Sequence, residues 1–175
     1  TAVIIGATSG IGKAVAISLL EKGWCVAVAG RRLQALESIR EQYPDRTIIQ
    51  QMDVTLDSAA EDLAAIMDNV SNKIIGMTGG AGAPDLLLYV SGVGYQNREL
   101  DMQKEIVTVR TNCEGMVRIL VHFMKYVRIW KNDGIVTGKR PVQVGGSVSS
   151  VLLPGLTALA SLRPIRRQRR CRAHT

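Results

Sequence analysis

Three observations place this 175-residue chain in the α/β class, as a parallel sheet with helices on both faces. The opening residues form a β-branched apolar run that ends in glycines and passes at once into a helix-patterned stretch. Cys25-Val26-Ala27-Val28-Ala29 is a short continuous apolar run, as strands buried on both faces require. Hydrophobic residues make up 46% of the chain, with many Ala, Val, Ile and Leu, which suits alternating strands and helices and argues against disorder. At this length one core can form as one domain.

The first strand leads into Gly6-Ala7-Thr8-Ser9-Gly10-Ile11-Gly12. In such a turn Gly6 lets the chain reverse sharply, Gly10 lets backbone approach a pyrophosphate, and Gly12 lets the helix pack closely on the strand. The helix start then offers free N–H groups and a partial positive charge to phosphate, with the Thr8 and Ser9 hydroxyls beside it. Without a ligand, the same letters make only a tight strand-to-helix turn. Ile11, Val15 and Leu19 give the first helix its period, and Gly23 ends it. The second strand ends at Gly30-Arg31-Arg32, where a dinucleotide-binding sheet faces the adenosine ribose. A carboxylate there binds the 2′-hydroxyl of NAD, whereas arginine accommodates the 2′-phosphate of NADP. No carboxylate lies between Gly30 and Glu37, so Arg31 and Arg32, with Lys13 as a further cation, favour NADP over NAD.

Leu33, Leu36, Ile39 and Tyr43 mark a second helix, stopped by Pro44. A third strand at residues 47–52 precedes Asp53-Val54-Thr55, which can also simply start the next helix. Ala59, Leu63, Ile66, Met67 and Val70 form that helix's core stripe. Residues 76–84 carry Gly76, Gly79, Gly80, Gly82 and Pro84 and predict a loop. A fourth strand follows from Asp85 to a turn at Gly92. Ile106, Val109, Cys113, Met116, Leu120, Met124 and Val127 predict one long helix, with a bend near Gly115. Residues 141–150 read as a fifth strand ending in Ser149-Ser150.

The wide Gly-x-x-x-Gly-x-Gly spacing of residues 6–12 resembles the cofactor loop of the short-chain dehydrogenase/reductase family, and the likeness extends over about residues 1–150. That resemblance implies a Rossmann-type domain that binds NAD or NADP and transfers hydride between the cofactor and an alcohol or carbonyl substrate. It places Asp53 and Val54 near the adenine. It aligns Tyr89-Val90-Ser91-Gly92 with the family's Asn-Asn-Ala-Gly, of which only Gly92 carries over. Asn112-Cys113-Glu114-Gly115 resembles the family's Asn-x-x-Gly, whose asparagine supports a water linked to the catalytic lysine. Ser150, with Ser149 as fallback, corresponds to the serine that bonds the substrate carbonyl. Helices of this region form a dimer face in the family, which makes a homo-oligomer an expectation.

The resemblance stops where the family carries Tyr-x-x-x-Lys, about thirteen residues beyond the serine. Hydride added to a carbonyl leaves an alkoxide that needs a proton, and a neighbouring Lys⁺ lowers the tyrosine pKa to supply it. Here the last tyrosine is Tyr126, the last lysine is Lys139, and the tyrosine position falls on Arg163. A slip of reading frame near Val151 accounts for this. Residues 164–171 can be encoded so that the shifted frame reads Tyr-Ser-Ala-Thr-Lys-Ala-Met, although six arginine codons make such back-translation permissive. The chain then divides into a partial dinucleotide-binding domain at 1–150, incomplete at its C-terminal side, and an out-of-frame basic tail at 151–175 without a packed core. This chain is expected to be inactive.

Of the formal charge of +7, Arg163, Arg166, Arg167, Arg169, Arg170 and Arg172 contribute six, leaving a nearly neutral body. The tail is the one feature that favours nucleic acid, and it lacks a groove-reading motif or interleaved aromatics, so nucleic-acid binding ranks last. A non-catalytic NADP-binding or partner-binding protein ranks between. No apolar stretch approaches membrane-spanning length. Cys25, Cys113 and Cys171 are scattered in no paired spacing, which fits a reducing cytoplasm and neither a disulfide framework nor a zinc site.

Overall fold

The computed structural model describes residues 1–78, 83–132 and 143–146, the last four and residues 130–132 by their backbone. Strands β1 (Ala2–Ile5), β2 (Val26–Gly30), β3 (Thr47–Gln51), β4 (Leu86–Tyr89) and β5 (Gln143–Gly146) alternate with helices. These are α1 (Gly10–Glu21), α2 (Leu33–Gln42), α3 (Ala59–Thr78), α4 (Met102–Val109) and α5 (Gly115–Asn132), with a π-helical turn at Arg110–Glu114 joining the last two. All strand pairs are parallel, in the order β3-β2-β1-β4-β5. The chain therefore winds outward in both directions from β1. The crevice beyond the carboxyl ends of β1 and β4, where the winding reverses, is where such sheets take ligands.

β1 is buried on both sides because its side chains alternate between two cores. Val3 and Ile5 join Leu63, Ile66 and Met67 of α3 and Ile119 and Phe123 of α5 in one layer. Ala2 and Ile4 join Ala16 and Leu20 of α1 and Leu36 and Ile39 of α2 in the other. The burial of each such Leu or Ile side chain contributes about 1.5–3 kcal/mol. Two layers on one sheet hold the strand ends in fixed register, and the glycine turn after Ile5 inherits that rigidity.

Three expectations are corrected. In α1 the fully buried positions are Gly12, Ala16 and Leu20, with Val15 and Leu19 packed partly against the same core and Ile11 exposed, so the buried stripe is centred one residue later than the apolar spacing. Small residues fill the tight interface there, and a count of large apolar side chains misses them. The predicted loop at 76–84 starts late, because α3 continues to Thr78 and includes Gly76. A Cβ at Gly76 would meet nothing within 4 Å, so an exposed helical glycine costs only about 1 kcal/mol there and packing upstream outweighs it.

The long helix is broken by the π turn, whose extra residue rotates the face that meets the core. Thr111, Gly115, Ile119 and Phe123 are buried, Met116, Leu120 and Val127 pack partly against the core, and Val109 and Met124 of the expected stripe are exposed. Cys113 is a free thiol.

Candidate functional site

A cavity of about 840 Å³ opens at the carboxyl ends of β1, β2 and β4. Gly6, Thr8, Ser9, Gly10, Ile11, Gly12, Arg31, Arg32, Asp53, Val54, Gly92 and Asn112 all line it. Ser150, its fallback Ser149 and the whole 151–175 tail lie outside the described residues.

The three glycines act separately. Gly6 has φ +100, and a Cβ there would lie 2.5 Å from the Ser91 nitrogen, so neither backbone conformation nor space admits a side chain. A Cβ on Gly12 would strike the Gly6 carbonyl oxygen and the Val90 side chain. Gly10 has φ +54 and open space around its Cβ position, so its bare backbone faces the cavity. Ser9, the residue before α1, is extended and makes no side-chain cap, which leaves the first-turn amides of α1 without a capping partner from that residue. These amides and the partial positive charge of the helix end suit an anion.

The Ser9 hydroxyl is engaged elsewhere. Arg32 Nη2 donates to Ser9 Oγ at 2.7 Å and to Thr8 Oγ1 at 2.9 Å, with Nε at 3.3 Å from the same Thr8 oxygen. The guanidinium thus stands over the glycine turn while remaining exposed. Gly30, which the sequence reading left out of the site, makes this possible: a Cβ there would press on Thr8 Cγ2 at 2.6 Å. A strand-end glycine directly before two arginines was the available signal. Arg31 lines the same rim, its carbonyl accepting from Gln51 Nε2 at 3.1 Å.

Asp53 closes a turn of its own and does not begin α3, which starts at Ala59. Its Oδ1 accepts from the Thr55 amide at 3.0 Å and the Thr55 hydroxyl at 2.8 Å, forming a tight turn before α3, and it also lines the cavity.

At the other end, Asn112 sits in the π turn and clamps the loop after β4. Val93 N donates to Asn112 Oδ1 at 2.9 Å, and Asn112 Nδ2 donates to the Val93 carbonyl at 2.8 Å. Gly92 lies in that loop, its Cβ position 3.5 Å from Asn112 Oδ1. Tyr89, another wall residue missed in the sequence, is buried, and its hydroxyl donates to the Thr111 carbonyl at 2.8 Å. Burial, then the neighbouring Cys113 and Asp53, push its pKa upward. That is the reverse of what a proton donor to an alkoxide needs near neutral pH, so Tyr89 does not replace the absent tyrosine. Thr111 also lines the cavity; its buried hydroxyl has no hydrogen-bond partner among the described residues.

The family model for short chain dehydrogenase matches residues 1–137. The chain belongs to the short-chain dehydrogenase family. Over 126 residues, 68% of the chain, it is 34% identical to the glycine betaine reductase ATRR of Emericella nidulans, of which it spans 9%. Over 64 residues, 35% of the chain, it is 42% identical to a probable 2,4-dienoyl-CoA reductase of Bacillus subtilis, with 25% of that protein covered. Among solved structures, the alcohol dehydrogenase of the archaeon Thermococcus sibiricus, complexed with 5-hydroxy-NADP, superposes with a TM-score of 0.56 at 26% identity, over 73% of this chain and 53% of that one. The 3-ketoacyl-(acyl-carrier-protein) reductase of Brucella melitensis, complexed with NADH, shares the fold with a TM-score of 0.64 at 20% identity, over 83% and 55%. The chain thus spans about half the length of these structures.

The cavity suits a dinucleotide by its own features. It has a bare glycine cradle at one end, an orphaned buried hydroxyl at Thr111, and a volume within the range of cofactor clefts. Among the described residues no group of His, Cys, Asp or Glu could hold a metal ion, and no helix is long and apolar enough to cross a membrane.

Proposed function

We propose that this chain is the NADP-binding part of a short-chain dehydrogenase that interconverts an alcohol and a carbonyl compound. One observation carries the choice of cofactor: Arg32 is held over the glycine turn by the Thr8 and Ser9 hydroxyls, with no carboxylate in the sequence between Gly30 and Glu37. A 2′-phosphate at that position meets a guanidinium already oriented, and the two hydroxyls can turn their protons toward it. The hydroxyls and the α1 amides bind and orient, Asp53 and Val54 wall the adenine side, and Asn112 holds the loop that carries Gly92. When bound, the cofactor would give a hydride to the carbonyl in its reduced form and take one from the alcohol in its oxidised form.

Proton delivery is a separate matter. Ser150 is assigned to polarise the substrate carbonyl and Asn112 to support the proton relay. With no Tyr-x-x-x-Lys in the sequence, the chain as written binds cofactor without rapid turnover. The same absence favours the second reading, a non-catalytic cofactor-binding or partner-binding protein. A frame slip near Val151 separates the two. Nucleotide sequencing checks it, and restoration of the shifted frame yields carbonyl reductase activity in the first case only. The exposed Val109, Val117, Val121 and Met124 support a homo-oligomer, and the cytoplasm is the compartment we assign.

Calorimetry with NADP and NAD tests the cofactor assignment. NADP binds more tightly than NAD, and Arg32→Ala removes about 10- to 100-fold of NADP affinity while leaving NAD nearly unchanged. Equal affinities, or no binding by a folded sample, reject the proposal.

A further inference from the structure

Arg118 does not line the cavity, yet it reaches the turn that forms the adenine wall. Its Nη1 donates to the Val54 carbonyl at 3.0 Å, and its Nη2 donates to Asp57 Oδ1 and Glu114 Oε1, both at 2.9 Å. The Arg118 side chain is mostly buried, at 16% exposure, whereas the Asp57 side chain is fully exposed and that of Glu114 half-exposed. The two carboxylates therefore steer a charge whose least solvated partner is the backbone oxygen of Val54.

That oxygen belongs to the Val54–Thr55 peptide, and the other end of the same peptide, Thr55 N–H, donates to Asp53 Oδ1. Arg118 and Asp53 thus grip one peptide plane from opposite sides. α5 comes close enough for this because Gly115 faces Val54: a Cβ there would lie 2.9 Å from Val54 Cγ2 and 3.0 Å from the Val54 oxygen. A turn earlier, Asn112 grips Val93 from the same helical segment. One stretch of helix, residues 112–118, consequently holds both walls.

We infer that Arg118 is a positioning residue for the adenine end of the site: by fixing the Val54–Thr55 peptide it sets where Asp53 and Val54 stand in the cavity. This rests on the cofactor reading above. The side chain touches no ligand, so its effect reaches the ligand only through that peptide.

The test uses the full chain, Arg118→Met and Arg118→Lys, with 2′,5′-ADP as a probe of the adenosine half and NADP as the whole cofactor. Arg118→Met weakens both by the same factor, about tenfold, because the loss is confined to the half they share. Arg118→Lys keeps the charge without the fork, so it loses less. Hydrogen exchange of the Thr55 amide speeds up in Arg118→Met while that of Val93 is unchanged, a readout that general destabilisation would not confine to one wall. Wild-type affinity for 2′,5′-ADP in Arg118→Met overturns the inference, as does a larger loss for NADP than for 2′,5′-ADP. If Arg118→Met does not fold, Arg118→Lys decides: unchanged affinity and unchanged Thr55 exchange overturn it. If the unmodified chain binds neither probe, the cofactor reading falls first and takes this inference with it.

Discussion

The two ends of the cavity are held by different kinds of atoms. At the glycine turn the walls are backbone: Gly6, Gly10 and Gly12 contribute bare main chain, and side chains enter only as Arg32 resting on Thr8 and Ser9. At the β4 end the walls are held by side chains, with Tyr89 bonded to Thr111 and Asn112 bonded to Val93. A backbone site tolerates almost no substitution at its glycines. A side-chain site can exchange its bracing, because a hydrogen bond can be supplied from another position.

The sharpest way to break that contrast is Gly6→Val. It combines a left-handed backbone with a collision against the Ser91 main chain, so it should cost about 3–5 kcal/mol and abolish cofactor binding, as read by denaturant unfolding and calorimetry. A Gly6→Val protein that folds and binds with ordinary affinity would mean that the turn is not built as described. Asn112→Ala should cost less, about 1–3 kcal/mol, since it strands a partly buried N–H and C=O of Val93. The Val93 amide should then exchange faster, and unchanged protection would show that the clamp is not what orders the loop.

Tyr89→Phe is smaller still, about 1–2 kcal/mol in thermal unfolding, because one neutral hydrogen bond is lost and the ring remains. It also tests the direction of titration. The folded Tyr89 pKa is raised above the ordinary value of about 10, so its contribution to stability is complete below that pH. The contribution is lost as pH rises beyond it, because the unfolded chain releases the proton first. Stability of the wild type should fall more steeply between about pH 10 and 12 than that of Tyr89→Phe. Parallel curves would contradict a buried, neutral Tyr89.

Much of the architecture could be read without coordinates because its signals are local. Val26-Ala27-Val28-Ala29 has only one reading as a strand, and the Leu63, Ile66, Met67 and Val70 stripe only one as a helix face. The cavity's glycine end was legible for the same reason, since each glycine acts within a few residues of itself or against the next strand. What escaped was long-range or cooperative. The π turn shifts the buried face of the second long helix by inserting a residue, which a fixed period cannot register. Tyr89 looked like an anomaly in a motif, and its hydroxyl has a purpose only once Thr111 lies opposite. Arg118 carries no local signal, and its bond to the Val54 carbonyl exists only because α5 lies against that turn.

The amino-acid order alone determined the alternation of strands and helices and the glycine turn after the first strand, because each is written in neighbouring residues. Tertiary structure alone decided that Arg32 stands on Thr8 and Ser9, that one helical segment holds both walls, and which face of that segment is buried. These depend on side chains brought together across many intervening residues, and the free energy of such encounters is set by packing that no local pattern encodes.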